Sequence, residues 1–583
     1  MTDVLSRRDL DFLLYEWLDV VSLTDRARFA EHSKETFDAV LDLCSDIAHK
    51  HFEPHNKKSD AHEPTMRPDG SVDMIDEVKA ALDVYSSAGL ISSQFDESVG
   101  GMQLPTTVAR ASMAYFQAAN ASTASYPFLT VANANLISTY GTAEQIDEYV
   151  RPMLEGKYFG TMCLSEPQAG SSLADITTRA EKQDDGSYRI TGTKMWISAG
   201  DHELTENIIH LVLAKIPGGG AGVKGISLFI VPKLLPNADR NEVTLVGLNH
   251  KMGNRGTTNT LLAFDGSVGY LVGEEHRGLS YMFHMMNEAR IGVGFLAIAL
   301  GYVGYLKSLE YAKVRTQGRP LGSKDPSSPA VPLVEHADVR RMLLAQKSYV
   351  EGALALGLYC SRLVDEQDST TDDTVKAEST LLLDVLTPIA KSWPSQWCLE
   401  ANSLAIQIHG GYGYTRDYDV EQYYRDNRLN PIHEGTHGIQ GLDLLGRKVT
   451  MQAGAGVALL GSKILATVER ARPLSPDTAQ FAGELEAAWN RTVEVTAALW
   501  STGDPAVALA NSTVYLEAVG HVVIAWMWLE QLTAVEDKTG AFYDGKRQAA
   551  RYFFGYELPK TGPQFDLLAS LDRTTLDMNP EWF

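Results

Sequence analysis

Ile208-Ile-His-Leu-Val-Leu-Ala214 and Gly225-Ile-Ser-Leu-Phe-Ile-Val231, with Pro217-Gly-Gly-Gly220 between them, decide the class of fold. Each is a short run of apolar, largely β-branched or aromatic residues bounded by turn formers, the pattern of a buried strand. Ser187-Tyr-Arg-Ile-Thr-Gly192 and Thr260-Leu-Leu-Ala-Phe264 read the same way, with Asp185-Gly186 and Asn237-Ala-Asp239 as further turns. Outward in both directions the period changes. Leu10–Val20, Thr36–His51 and Asp76–Ala88 carry apolar residues at three- and four-residue spacing, and the helical period returns after Glu274. The order helical, strand, helical, helical predicts an α+β fold that is mostly α. Its expected domains are an N-terminal helical domain (1–158), a central β-domain (159–275), a helical bundle (276–452) and a further helical domain (453–583). A doubly wound sheet would interleave its strands and helices, and this chain gathers its strands in one block. Lys324–Pro332 and the acidic stretch Asp365–Thr374 read as exposed loops, and Arg472-Pro-Leu-Ser-Pro-Asp477 as an N-capping turn.

Composition bounds the function. The 583 residues, 44% hydrophobic and 21% charged, describe a globular protein of three to four domains. Lys and Arg number 51 against 74 Asp and Glu, a net charge of −23 that disfavours nucleic acid or an anionic membrane as partner. Cys44, Cys163, Cys360 and Cys398 are scattered without metal-type spacing, as in a reduced cytoplasmic protein. Met1-Thr-Asp-Val-Leu-Ser-Arg-Arg-Asp9 lacks the apolar stretch of a signal peptide, so the expected location is cytoplasmic. The most apolar run, Ile291–Leu306, is short and glycine-rich for a membrane span and predicts a helix buried on all sides.

Residues 433–437, His-Glu-Gly-Thr-His, match the H-E-x-x-H pattern of zinc metalloproteases. That reading needs a helix to bring both imidazoles to one face. Asn430-Pro431 before the motif, Gly435 inside it and Gly438 after it oppose a helix, since glycine costs ~1 kcal/mol in a helix interior. A third ligand is missing too, because Gln440 and Asp443 stand where the longer pattern wants Gly and His. No metal is expected. The alternative is that Glu434 alone takes a proton from an organic substrate.

Cys163-Leu-Ser-Glu-Pro-Gln-Ala-Gly-Ser-Ser172 opens the strand block with small residues whose amides and hydroxyls can approach a ligand closely. In Gly192-Thr-Lys-Met-Trp-Ile-Ser198, the indole of Trp196 and the hydroxyl of Ser198 share one strand face, a wall for a flat heterocycle. Further motifs follow in order: Lys251-Met-Gly-Asn-Arg-Gly256, Asn287-Glu-Ala-Arg290, Tyr311-Ala-Lys-Val-Arg-Thr-Gln-Gly-Arg319, Gln407-Ile-His-Gly-Gly-Tyr-Gly-Tyr414, Tyr424-Arg-Asp426 and Glu434-Gly-Thr-His-Gly-Ile-Gln440.

In this ordered set the chain resembles the FAD-dependent acyl-CoA dehydrogenases, from about residue 80 to 450. The resemblance implies their fold, with a four-helix bundle in the third domain. It also implies the roles of individual residues. The backbone of Cys163, Leu164 and Ser165, with the Ser165 side chain, would contact the flavin pyrimidine edge, and Ser171 would lie near both flavin and CoA. Trp196, Ile197 and Ser198 would flank the isoalloxazine. Arg315, Gln317, Gln407, Gly410 and Gly411 match positions that hold the diphosphate and adenosine, some of them from a neighbouring subunit, which implies a homo-oligomer with a dimer favoured. Thr436 matches another FAD contact. Arg290 and Gly435 match substrate-site positions, the other reading of Arg290 being a salt bridge that closes a buried helix.

Glu434 matches the family's catalytic base. It would remove the α-proton of an acyl-CoA thioester while its backbone amide and a flavin hydroxyl hold the thioester oxygen. The β-hydride would pass to the flavin, leaving a trans-2-enoyl-CoA, and electron-transfer flavoprotein would be the acceptor. Some relatives carry the base just before the arginine; here that residue is Ala289. Ser172 stands where Asp is frequent, Gln317-Gly-Arg319 lacks a usual Phe, and His433 replaces a common Tyr. These departures and the long C-terminal block resemble a long subgroup whose substrates include straight short- and medium-chain acyl-CoAs and 3-methylmercaptopropionyl-CoA. Two rivals stand on the same scaffold. Nitroalkane oxidation uses an aspartate base, which Glu434 opposes. A non-catalytic, DNA-associated alkylation-response flavoprotein is opposed by the net charge of −23.

Overall fold

A computed structural model of the chain describes residues 3–322, 325 and 327–583, the side chains of 284–287 excepted. The side chain of Asn287 in the Asn-Glu-Ala-Arg motif, and Lys324 and Pro326 of the expected 324–332 loop, therefore lie outside what is described. The chain forms two compact units, Lys34–Ala289 and Arg290–Phe583, the latter joined by the N-terminal segment up to Ser33.

In the first unit, helices α1 (Lys34–Ile47), α2 (Asp76–Ser87), α3 (Thr106–Ala119) and α4 (Ala121–Tyr140) precede the sheet. Phe52, Tyr85 and Phe116 meet edge-on with centroids 4.9 Å apart in two of the pairs, an arrangement that adds directionality to apolar burial. Asn120 breaks the chain between α3 and α4 and caps α4, accepting from the Thr123 amide. The sheet follows as β1 (Tyr158–Cys163), β2 (Arg179–Lys182), β3 (Tyr188–Ser198), β4 (Asn207–Lys215), β5 (Ile226–Pro232), β6 (Val243–Leu248) and β7 (Asn259–Leu271). Pairings β4–β2, β2–β3, β3–β7, β7–β5 and β5–β4 close a ring, to which β1 adds beside β4 and β6 beside β7.

The two quoted runs are β4 and β5. Both are buried on both faces, β4 from Asn207 to Ala214 and β5 throughout, which is why their apolar character does not alternate. Helix α4 lies against this edge, Asn133 Nδ2 donating to the carbonyls of Thr161 (2.9 Å) and Ile209 (2.8 Å). A Cβ at Gly160 would sit 2.5 Å from the Asn133 side chain, so the helix reaches that bond only over glycine.

In the second unit three long helices dominate: α5 (Gly278–Val314, shared with the first unit), α6 (Ala337–Ser369) and α7 (Asp373–His409). The Ile291–Leu306 run lies in α5 and is buried as expected. Its glycines are contact points, since Cβ atoms at Gly294 and Gly301 would strike the α7 backbone at Ala390 O (2.1 Å) and Cys398 (3.1 Å to its O). Among the described residues, three helices are long and apolar enough to cross a membrane by length and composition. Two of these, α5 and Ser512–Val535, are 94% and 83% buried over the relevant window, against 33% for Met451–Ala471.

The expected loop at 365–374 is shorter than read. Helix α6 continues to Ser369 because Glu366 is neutralised by Arg26 and Arg362, and α7 starts at Asp373 under an Asp372 cap. Leu10–Val20 is likewise not one α-helix; Arg7–Asp11 passes into a wider turn over Phe12–Trp17. Short helices α8 (Val420–Asn427) and α9 (His437–Asp443) come next. The chain ends in α10 (Ala455–Ala471), α11 (Pro476–Ser501), α12 (Ser512–Val535), α13 (Ala541–Tyr552) and α14 (Thr561–Ala569). Pro476 occupies the first position of α11, where its missing N–H costs nothing. Helix α12 is apolar on nearly all sides, with Trp526 and Trp528 donating to Thr467 Oγ1 and Ser348 O.

Candidate active site

Between α8 and α9 the chain turns sharply, and the His433–His437 motif occupies the turn. Only His437 is helical, so the two imidazoles do not share a helix face as a zinc site of this type requires. Glu434 and Gly435 are both left-handed, at φ 52° and 83°. For glutamate this conformation is uncommon and costs on the order of 1 kcal/mol, so the surroundings must impose it.

They do so through buried donors. Lys391 Nζ, from the middle of α7, donates to the carbonyls of Asn430 (2.7 Å) and Gly435 (2.8 Å). Gln440 Nε2 donates to the carbonyls of Glu434 (3.1 Å) and Gly435 (3.3 Å), and the His437 amide to Pro431 O (2.9 Å). A Cβ at Gly435 would lie 2.4 Å from Gln440 Nε2, so its side-chain space is already taken. His433 pairs with Asn430 Oδ1 at 3.1 Å, and Thr436 caps α9 by accepting from the Ile439 amide.

The electrostatics follow from this packing. Glu434 keeps partial solvent access by surface area, yet protein crowds its carboxyl closely enough that desolvation raises its pKa, against the pull of Lys391 and Arg290. Burial pushes Lys391 down to about 7 despite the attraction of Glu434. Burial, then the Lys391 charge, pushes His433 down to about 3, so it is a neutral neighbour of the carboxyl. Arg290 is buried and donates to Asp443 at 2.9 Å, its Nε having no partner among the described residues. The salt-bridge reading of that residue is therefore present in the structure.

The second unit also gathers the expected diphosphate residues. Arg315 lies just past the end of α5, 6.0 Å from the centroid of the Tyr412 ring, and Tyr311 stacks on His409 at 4.2 Å. These contacts bring Arg315 beside the end of α7, where Gln407, Gly410 and Gly411 are exposed. Among the described residues, Cβ atoms at either glycine would meet nothing within 4 Å, so an anion can approach the backbone there beside a guanidinium, although the Gly410 amide is itself used to close α7 on the carbonyls of Ile406 and Gln407. Gln317 is exposed and tied by its carbonyl to His336 Nε2 (2.7 Å). Thr436 opens on a cavity of about 500 Å³ also lined by Gln396, Glu400, Tyr424, Arg428 and His437.

In the first unit the remaining flavin candidates share one buried anchor. The Glu166 carboxylate accepts from the amides and hydroxyls of Thr177 and Thr178 and from Lys194 Nζ (3.0 Å). Desolvation opposes its ionisation, but Lys194 and the threonines win and hold it down at about 2. Lys194 also donates to Leu164 O (3.0 Å), and the Met195 amide to Ser165 O (3.0 Å), which pins the 164–165 backbone to β3. Cys163 is buried with its thiol pushed up to about 12 by desolvation, a neutral side chain that leaves only its backbone for binding. Ser171 is exposed on the loop, Ile197 buried, and Ser198 Oγ accepts from Asn259 (3.2 Å).

Trp196 departs from the simple alternation read from the sequence. It is the extra residue of a β-bulge, with φ 66°, skipped as Met195 and Ile197 pair with Leu261 and Thr260. The bulge leaves its indole 58% exposed, an apolar plate that a flat ring can cover. Both sets of residues thus fit FAD. Sequence reasoning missed Lys391, Gln440 and the Glu166–Lys194 pair as supports; the one signal was a lone lysine in the apolar stretch Ile389-Ala-Lys-Ser-Trp393.

Comparison with known proteins covers the whole arrangement. Residues 34–157, 161–267 and 276–449 match the family models described as acyl-CoA dehydrogenase N-terminal, middle and C-terminal domains. Residues 460–579 match the one described as acetyl-CoA dehydrogenase C-terminal like. The chain is 37% identical to 3-methylmercaptopropionyl-CoA dehydrogenase of Ruegeria pomeroyi over 78% of each protein. It is 32% identical to the broad-specificity linear acyl-CoA dehydrogenase FadE5 of Mycobacterium tuberculosis over 99% of each. Among solved structures, Caenorhabditis elegans ACDH-11 in complex with C11-CoA superposes with TM-score 0.79 at 18% identity, over 94% of this chain and 90% of that one. An FAD-complexed acyl-CoA dehydrogenase of Bacillus anthracis gives 0.74 at 19% identity, over 94% and 93%.

Proposed function

The chain belongs to the acyl-CoA dehydrogenases, flavin-dependent oxidoreductases acting on CH–CH bonds with FAD as cofactor, and from that premise we propose that Glu434 is its catalytic base. The substrate in this reading is a short- to medium-chain acyl-CoA, and the product is the trans-2-enoyl-CoA. The observation that carries it is the Glu434 turn: a left-handed carboxylate residue, its flanking carbonyls clamped by Lys391 and Gln440, with its pKa raised by desolvation. A thioester α-proton is weakly acidic, so its removal needs a base of raised basicity held in one place.

Glu434 takes the α-proton, and the pair of electrons left on the α-carbon forms the new double bond as the β-hydride departs. FAD, when bound, supplies the two-electron acceptor for that hydride. Gly435 is needed beside the base because Gln440 fills the space a side chain would take, and the Glu434 amide would hold the thioester oxygen, as the family resemblance implies. Trp196, Ser198 and the backbone of 163–165 would hold the ring system, with Ser171 near ring and CoA. Arg315, Gln317, Gln407, Gly410, Gly411 and Thr436 would hold the remainder. We assign electron-transfer flavoprotein as the acceptor and a homodimer as the working assembly, since the family resemblance implies that part of the diphosphate site comes from a second subunit.

A second substrate, 3-methylmercaptopropionyl-CoA, is favoured by the 37% identical relative of that name. Turnover of a series of acyl-CoAs, including the methylthio compound, with a dye acceptor ranks the two. Glu434→Gln tests the mechanism: FAD is retained and acyl-CoA turnover is lost, whereas activity surviving the change overturns it.

A further inference from the structure

The C-terminal extension touches the turn that carries the base. His437, three residues after Glu434, sits between two groups from different parts of the chain. Its Nδ1 meets Ser392 Oγ at 2.5 Å, and Ser392 is the neighbour of Lys391 on α7. Its Nε2 faces Glu517 Oε1 of α12 at 3.4 Å. A carboxylate accepts only, so Nε2 is the ring nitrogen that carries a hydrogen toward Glu517, while Nδ1 faces the serine hydroxyl.

Glu517 is itself held, its second oxygen receiving Gln564 Nε2 from α14 at 3.3 Å. The backbones press together at the same place: a Cβ at Gly441 would lie 2.7 Å from Ser512 O, so α9 seats on the start of α12 only through glycine. The relay therefore runs Gln564, Glu517, His437, Ser392, and it closes on α7, where the preceding residue, Lys391, clamps Gly435.

We propose that Glu517 is a positioning residue for the catalytic base, acting through His437, so that the extension helps hold the turn in its reactive shape. Two adjacent left-handed residues are a conformation the chain does not adopt unaided. Lys391 and Gln440 hold its carbonyls, and His437 is the side chain that ties its C-terminal end to both α7 and α12. The proposal rests on Glu434 being the base, and its test separates the two.

The experiment uses the full-length FAD-loaded protein with Glu517→Ala and Glu517→Gln. Hydrogen exchange of the 433–440 segment reads the turn without reference to any reaction. In Glu517→Ala the amides of His437, Ile439 and Gln440 exchange about fivefold faster, with mid-α7 amides unchanged. With acyl-CoA and a dye acceptor, the same variant loses about tenfold in kcat while KM stays within about twofold, as expected when a base is displaced but binding is kept. Glu517→Gln, which still accepts from Nε2, recovers most of both. Wild-type exchange in the 433–440 segment of Glu517→Ala overturns the proposal, as does an unchanged kcat beside an active wild type. A wild type inactive on every acyl-CoA sinks the dehydrogenase reading instead, and the exchange result still decides the role of Glu517.

Discussion

Lys391 Nζ donates to the Gly435 carbonyl oxygen at 2.8 Å while its second bond, to Asn430 O at 2.7 Å, closes the other end of the same turn. One buried cation thus brackets Glu434 and lies close enough to lower its pKa against the larger effect of desolvation. Lys391→Met removes both. Without the cation Glu434 is raised further, so the acid limb of kcat/KM moves to higher pH, and at neutral pH kcat falls by about tenfold or more as the turn loosens. A pH–rate profile checks the sign: a limb that stays in place or moves to lower pH contradicts this account.

Gly435→Ala places a methyl group where Gln440 Nε2 now lies 2.4 Å away, at a φ of 83°. The left-handed penalty alone is about 1–2 kcal/mol, and the displaced amide gives up its bonds to two carbonyls. Thermal melting should fall by a few degrees while kcat falls far more, because the damage is confined to the turn. Equal activity at reduced stability would count against a tightly held base.

Glu166→Gln strands the Lys194 ammonium, which is fully buried and paired with nothing else that is charged among the contacts described. Breaking one side of a buried pair typically costs ~3–5 kcal/mol, which urea unfolding would register. Leu164 and Ser165 hang on the same lysine and strand, so the variant should also lose FAD more readily on gel filtration. The ionised Glu166 stabilises the fold above its unfolded value of 4.5, and that contribution is lost as pH falls from there through about 2.

What could be read in advance follows from the range of the interactions. Strands β4 and β5 were legible because burial on both faces leaves an unbroken apolar run, and the non-helical turn at Glu434 because Pro431 and Gly435 oppose a helix there. The bulge at Trp196 was not, since alternation does not reveal which residue a partner strand will skip. Lys391 and Glu517 act on the turn from 44 and 80 residues away. Only the packing of α7 and α12 brings them there. The acidic stretch after Asp365 misled because Arg26, more than three hundred residues distant in sequence, neutralises Glu366 and lets the helix run on.

Two histidines of the first unit make stability depend on acid in a way that carboxylates alone would not. His202 lies edge-on to Tyr126 (5.4 Å) and Phe159 (5.8 Å), His210 bonds Thr161 Oγ1 at 2.8 Å, and neither Nε2 has a partner among the described residues. Burial, with a smaller push from Lys233, holds each down at about 3. In the unfolded chain they protonate near 6.5, so as pH falls below 6.5 the unfolded state takes up protons that the folded state refuses, and stability declines toward about pH 3. Glu434, Glu400 and Asp9, with raised carboxyls, act in the opposite sense, so the histidine contribution is best isolated as a difference. His202→Phe keeps the aromatic packing and removes one titration. Between pH 6.5 and 5 its urea midpoint should fall less steeply than that of the parent, by the equivalent of up to about one proton taken up on unfolding. Parallel curves over that interval would mean His202 is already charged in the fold.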